Sequence, residues 1–339
     1  MRTPHLRPIT LLIAAALTAG VFAQELTVPN KAGTLKFAVI GDSGTGNADQ
    51  YRTAKVLSNV RQRFPYEFVL MMGDNMYGGE TTRDFERKFE TPYKPILDAG
   101  IKFYAALGNH DSPNQTKYKL FNMNGERYYT FKPKNGIRFF ALDSNYMDPN
   151  QLKWLEKELA ASGSDWKVAF FHHPIYSSAG RHGSDPALRE QLEPLFIKYS
   201  VDLVLQGHDH IYERVRPQNG IAYFVSGGAG KLRKGDLADA GLTAKGFDAG
   251  FHFMIFEVDG DQMTFQTISD LAKTIDSGTI LRNRSKANAP ANAPPDTVTV
   301  PKPIPPADRA PTKTGPTTTK PEPAPAPAKP APSKPGAKP

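Results

Sequence analysis

This sequence predicts an α/β fold, with one folded domain inside a chain of 339 residues. Three observations lead there. Short runs rich in β-branched and aromatic residues alternate with longer polar stretches of helical period, the pattern of an α/β core. Five of those runs close on a short turn carrying Asp, Asn or His. The last runs follow one another with no helix between them, so strands near the end pair locally.

In order, the strand candidates are 35–40, 67–72, 102–107, 138–142, 167–171, 202–205 and 222–225, with 251–258 and 262–268 as the late pair. Helices are predicted at 49–63, 82–97, 149–161 and 185–199. The last two open on Pro149 and on Asp185, residues suited to a helix start. No internal repeat is visible.

Both ends differ from this body. The N-terminus, MRTPHLRPITLLIAAALTAGVFAQEL, has basic Arg2 and Arg7, an apolar stretch from Ile9 to Ala19, and a Val21-Phe22-Ala23 exit suited to cleavage before Gln24. That is the pattern of a secretory signal over 1–23, too short to span a membrane, so the product is expected to be secreted or periplasmic. No other run approaches the ~20 apolar residues of a membrane span. From 287 to 339 the chain becomes rich in Pro, Ala, Lys and Thr. Residues 290–339 hold 17 of the 30 prolines and no aromatic residue. Such a tail cannot bury enough surface to offset its ordering entropy, and a disordered, extended spacer is expected. The folded body is therefore placed at 24–286.

The formal charge of +8 is unevenly spread: the signal carries +2, residues 290–339 carry +4, and the body only +2. A nearly neutral body argues against a nucleic-acid face, although the basic tail could bind polyanions or the envelope weakly. There are no cysteines. A disulfide framework is excluded, and any metal site must use oxygen and nitrogen ligands.

The polar turns read FAVIGDSG (37–44), VLMMGDNMY (69–77), YAALGNHD (104–111), VAFFHHP (168–174) and LVLQGHDH (203–210). In open α/β sheets ligands bind at the carboxyl ends of strands. Glycine precedes the polar residue in four of the five, letting the chain turn sharply into a crowded site. One Gly-Asp is only a turn; five closing apolar strands describe a shared centre. They collect Asp42, Asp74, Asn109, His110, His172, His208, Asp209 and His210. Six of the eight histidines lie between His110 and His210. This donor set suits iron, zinc or manganese, and it is too large for one tetrahedral ion. Two ions bridged by a carboxylate would use it, and two-metal sites catalyse displacement at phosphorus.

The order GDSG, GDNMY, GNHD, HHP, GHDH resembles the binuclear metallophosphoesterases of the calcineurin-like superfamily, and within them the tartrate-resistant type of purple acid phosphatase. The resemblance runs from about Leu35 to Val258. It implies a β-sandwich flanked by helices on both faces, an αββα arrangement, with a dimetal centre at the strand ends. Carried over by position, Asp42, Tyr77 and His210 would hold the first ion, Fe(III). Asp74 would bridge, and Asn109, His172 and His208 would hold the second, Fe(II), Zn or Mn. The nucleophile implied is a metal-bound hydroxide, acting on small phosphomonoesters. His110 and His182 match histidines that contact the phosphate and protonate the leaving group.

Several positions depart from the pattern or stay open. Ser43 stands where an aromatic residue is common, and Ala169 where valine is usual. His172 is preferred to His173 as the ligand because it lies two residues before Pro174. Many relatives place a histidine two residues after the first aspartate; here that residue is Gly44, and Tyr77 can fill the vacancy. Asp209 is expected to face solvent or cap its turn, and Arg181 to be a surface residue. His252 is read as a satisfied core histidine, Tyr212 and Arg214 as supports of the GHDH turn, and VSGGAG (225–230) as a tight loop under the metal turns. Competing functions are a phosphodiesterase or nucleotidase on the same scaffold, and a non-catalytic surface protein with a structural metal site.

Overall fold

The computed structural model describes residues 25–238 and 241–282, and the expected signal (1–23) and tail (287–339) lie outside the described residues. Within it, 13 strands form two sheets. The first sheet has six, in the order β13 (Thr274–Leu281), β12 (Gln262–Ser269), β11 (His252–Asp259), β1 (Leu35–Ile40), β2 (Phe68–Met72) and β3 (Lys102–Ala106). Strands β1, β2 and β3 run parallel, and β11 to β13 continue antiparallel. The second sheet has seven: β10 (Thr243–Phe247), β8 (Tyr212–Gln218), β9 (Ile221–Ser226), β7 (Leu203–Gln206), β6 (Trp166–Phe171), β5 (Ile137–Ala141) and β4 (Tyr129–Phe131).

The alternation of side chains along the strands builds four layers. On β1 and β2, Phe37, Val39, Phe68 and Leu70 point between the sheets, where they meet Phe139, Phe170, Leu205, Phe224 and Phe256. Ala38, Ile40, Val69 and Met71 point outward under helices α1 (Ala48–Arg61) and α3 (Thr91–Asp98). On the far side, α4 (Pro149–Ala161) and α5 (Pro186–Lys198) cover the second sheet through Leu155, Leu159, Leu192 and Phe196. Apolar residues on both strand faces explain why these strands read as continuous hydrophobic runs. The sandwich with helices on both faces is thus present as expected.

The expected helix 82–97 is broken into α2 (Thr82–Phe85), a π-helical turn (Glu86–Glu90) and α3. Proline 92 causes the break: it has no N–H for the Lys88 carbonyl, and Thr91 N–H bonds Glu86 O instead. Tyr212 and Arg214 do more than brace the GHDH turn. The Tyr212 hydroxyl and the Arg214 guanidinium both donate to Asp276 of β13, at 2.7 and 2.8 Å, tying the two sheets together. No helix of the described residues is long and apolar enough to cross a membrane.

Candidate metal centre

All five polar turns meet along one edge of the sandwich. Asp42, Asp74 and Asn109 follow β1, β2 and β3 of the first sheet, while His172, His208 and His210 follow β6 and β7 of the second. The turns pack backbone to backbone. Asp42 N–H donates to the Gly73 carbonyl at 3.1 Å, and His208 N–H donates to Asp42 Oδ2 at 2.9 Å. Crowding, more than turning, explains the glycines before the polar residues. A Cβ on Gly207 would lie 2.6 Å from Asp42 Oδ2, and one on Gly108 would lie 2.2 Å from the Asp74 nitrogen. The left-handed backbone falls on Asp42, Asp74 and His208 themselves, with φ of 56°, 51° and 68°, and, of the four glycines, on Gly73 alone, at 85°. Strain of this kind on non-glycine residues concentrates at functional sites.

Two groups of donor atoms result, one on each side of Asp74. Tyr77 Oη lies 3.2 Å from Asp42 Oδ1 and 3.3 Å from His210 Nε2, and His210 Nε2 lies 3.4 Å from Asp42 Oδ1. On the other side, Asn109 Oδ1 lies 3.0 Å from both His172 Nε2 and His208 Nδ1, which are 3.1 Å apart. Asp74 belongs to both: its carboxylate is close to Asp42 and His210, and its Oδ1 is 3.3 Å from His172 Nε2. His172 is fully buried, with Nδ1 against the Met72 carbonyl at 2.9 Å, so Nε2 is left for the centre. His173 also offers a ring nitrogen within 4.8 Å of those of His172 and His208. Its Nδ1 meets Ser144 Oγ at 2.9 Å, and its ring packs 4.5 Å from His208.

The charges fit cations. Asp42 and Asp74 are buried, and among the described residues neither has a Lys or Arg partner. Burial and the neighbouring Asp74 carboxylate push the Asp42 carboxyl well above its usual range. Burial, reinforced by nearby histidines for the first and by Arg233 for the second, drives His208 down to about 2 and His210 down to about 4. Both rings are neutral at ordinary pH, the form that binds metal. Burial and the two carboxylates keep the Tyr77 phenol protonated and donating to Asp42. A cation in place of that proton would make it an anionic ligand.

Around this core, exposed His110 and His182 stand on opposite sides. The His110 ring packs 4.9 Å from Tyr77, and the His110 backbone N–H donates to Asp74 Oδ1 at 3.0 Å. His182 lies 4.3 Å from the His208 ring. Sequence reasoning missed the cations here. Lys231 Nζ sits 4.5 Å above the Tyr77 ring, and the Arg233 backbone N–H donates to the His210 carbonyl at 3.1 Å. Their signal was KLRK (231–234), directly after the glycine-rich loop. Asp111 was also missed: its carboxylate accepts from the backbone N–H of Gly108, Asn75 and Met76, at 2.8, 3.1 and 2.9 Å, clamping GNHD to GDNMY.

Two expectations change. Asp209 is buried rather than facing solvent, with Oδ2 accepting from Ser177 Oγ at 2.6 Å. His252 is in the core but is not satisfied: neither ring nitrogen has a hydrogen-bond partner of normal geometry among the described residues. The loop 225–230 does lie under the metal turns, with Ala229 N–H on the Gly41 carbonyl at 3.1 Å. A cavity of about 440 Å³ opens beside the centre, lined by Asn109, Ser144, Asn145, Tyr146 and His173 among others.

This sandwich, with its paired donor groups at one edge, is the architecture of a dimetal phosphoesterase. Residues 35–212 match the calcineurin-like phosphoesterase family, and the chain belongs to it. Purple acid phosphatase 17 of Arabidopsis thaliana is 27% identical over 259 residues, covering 66% of this chain and 76% of that one. Human tartrate-resistant acid phosphatase type 5 is 27% identical over 256 residues, covering 62% and 78%. Among solved structures, purple acid phosphatase PPD1 from yellow lupin seeds superposes with a TM-score of 0.64 at 21% identity, over 80% of this chain and 58% of that one. GAP50, the anchor in the inner membrane complex of Plasmodium, gives the same TM-score at 18% identity, over 74% and 89%.

Proposed function

We propose that this chain is an exported acid phosphatase that hydrolyses small phosphomonoesters at a two-metal centre. The observation that carries the reading is the pair of donor groups on either side of Asp74, whose carboxylate, like that of Asp42, is buried and without a Lys or Arg counter-charge among the described residues. Fold alone would not suffice, because one scaffold serves unrelated functions. Asp42, Tyr77 and His210 would hold a ferric ion, since a phenolate adds the negative charge a trivalent ion favours. Asn109, His172 and His208 would hold Fe(II), zinc or manganese, with Asp74 shared. When bound, such ions supply Lewis acidity toward phosphoryl oxygens and lower the pKa of water.

The remaining steps fall to this chain's side chains. Lys231, over the Tyr77 ring, and Arg181 and Arg233, beside His182 and the latter paired with Asp236, put positive charge at the centre that can draw in a phosphate dianion. His110 and His182 face the centre from opposite sides, where they can hold phosphoryl oxygens and deliver a proton to the leaving alkoxide. Partial burial, Arg233 and Arg181 hold His182 below its usual pKa, which suits a proton donor working in acid. The cavity beside Asn109 and Tyr146 has room for the organic part of the ester. Export rests on the N-terminal pattern of residues 1–23.

The test is turnover of an aryl phosphate by purified protein loaded with iron and zinc, from pH 4 to 9. Hydrolysis fastest on the acid side is expected. No turnover at any pH would sink the proposal, and preference for an aryl phosphodiester would favour a diesterase.

A further inference from the structure

We propose that Lys88 is a positioning residue that holds Tyr77 on the metal centre through the backbone of the loop carrying it. The inference rests on the reading of Tyr77 as an ion ligand. Lys88 is 2% exposed, although it lies in a polar segment, ERKFETP (86–92). Its ammonium donates to the carbonyls of Tyr77 and Gly79, at 2.8 and 2.6 Å, and pairs with Asp84 Oδ1 at 2.9 Å. All three ammonium donors are thereby used.

A lysine that only neutralised Asp84 would have no need of burial; Lys94 and Asp98, at the same i,i+4 spacing, pair in the open. Two of the three Lys88 partners are instead main-chain carbonyls of GDNMYGG. The helix is built to aim them. Proline 92 cannot bond the Lys88 carbonyl, the helix widens by a π turn, and Gln50 Nε2 takes that carbonyl at 2.5 Å. Lys88 is thus anchored at its backbone from α1 and at its tip on the loop.

The loop depends on this tie from one side. Before Tyr77, Asp111 holds the N–H groups of Asn75 and Met76, and Tyr77 N–H bonds the Gly44 carbonyl at 2.9 Å. After it come Gly78, at φ 78°, and Gly79, residues with no side chain to fix them. Among the described residues, Lys88 is the side chain that holds the carbonyls of this second half. The phenol oxygen has Asp42 and His210 at 3.2 and 3.3 Å. A shift near 1 Å would take it out of reach, and misplacements of that size are costly to assembled sites.

The experiment loads wild type, Lys88→Met and Lys88→Gln with ferric iron and zinc. It measures bound metal, visible absorbance per bound ferric ion, and the thermal melt. Wild type is expected to show a tyrosinate-to-iron band. Lys88→Met should lose most of that absorbance per iron and weaken ferric affinity ~10–100-fold, the range of outer-shell changes, while zinc is kept. Lys88→Gln, which retains a donor, should fall between and decides the matter if the Met variant does not fold. A coloured wild type alongside folded variants of equal absorbance per iron would mean Lys88 only stabilises the fold. A colourless iron-loaded wild type overturns the Tyr77 assignment and this role with it.

Discussion

Tyr77 and Gly44 form one unit. A Cβ on Gly44 would sit 1.8 Å from the Asn75 carbonyl oxygen, so the absent side chain is what lets GDNMY close over the first turn. The sequence shows Gly44 as a missing histidine; the structure shows it as the clearance through which Tyr77 arrives. With ferric iron on Tyr77, as proposed, Tyr77→Phe should abolish the visible band of the wild type and lower ferric affinity, as measured by metal analysis and absorption spectra; a coloured, iron-replete variant would exclude the phenol as ligand. His252 gives a second prediction. Burial lowers its pKa to about 4, only partly offset by the Gly250 carbonyl. The unfolded chain takes up this proton below about 6.5 and the folded protein only below about 4, so stability declines as pH falls through that window. His252→Gln should flatten this part of the stability profile, by an amount on the order of 3 kcal/mol at its acid end. Urea melts at pH 7 and pH 4.5 measure it, and an unchanged difference between the two would count against it.

At the scale of elements, the close approach at Gly44 couples two turns. Gly44→Ala should cost more than ~3 kcal/mol, because the clash is with backbone on both sides. Iron should be lost in the same variant. A melt within 1 °C of wild type would refute this. Much of this level was legible in sequence. The central strands announced themselves because both faces are apolar, and the donor residues because each closes such a strand. Strands β4, β10 and β13 were not, since they are sheet edges with mixed sequences such as TAKGF and TIDSGTIL. Strand β8 hid behind its charges in YERVRPQ. The π turn and buried Lys88 were illegible for a different reason: the segment reads as an ordinary polar helix, and only its contacts with the Tyr77 loop give it meaning. Asp209 was misjudged because its buried partner, Ser177, lies far away in sequence.

At the scale of the molecule, the centre straddles the sandwich. One sheet supplies Asp42, Asp74 and Asn109, and the other supplies His172, His208 and His210. Ions held across that edge bind the folded arrangement and not the unfolded chain, so they stabilise it by mass action, ~2.7 kcal/mol at a hundred times Kd. Removing metal with a chelator should lower Tm by about 5–10 °C, at roughly 2–4 °C per kcal/mol for a domain of this size. Calorimetry of the two forms tests it, and identical melts would contradict it. The straddling arrangement also makes the centre a gauge of distant packing. Phe37, Phe256 and Phe139 lie in the shared core, with Phe37 stacked 4.9 Å from Phe256 and edge-on to Phe139 at 5.2 Å. If a substitution there let one sheet slide a fraction of an ångström over the other, every strand would survive while the two halves of the donor set lost alignment. If the first ion is ferric iron on Tyr77, as proposed, damage deep in the sandwich would be seen first as fading colour, before any change in secondary structure.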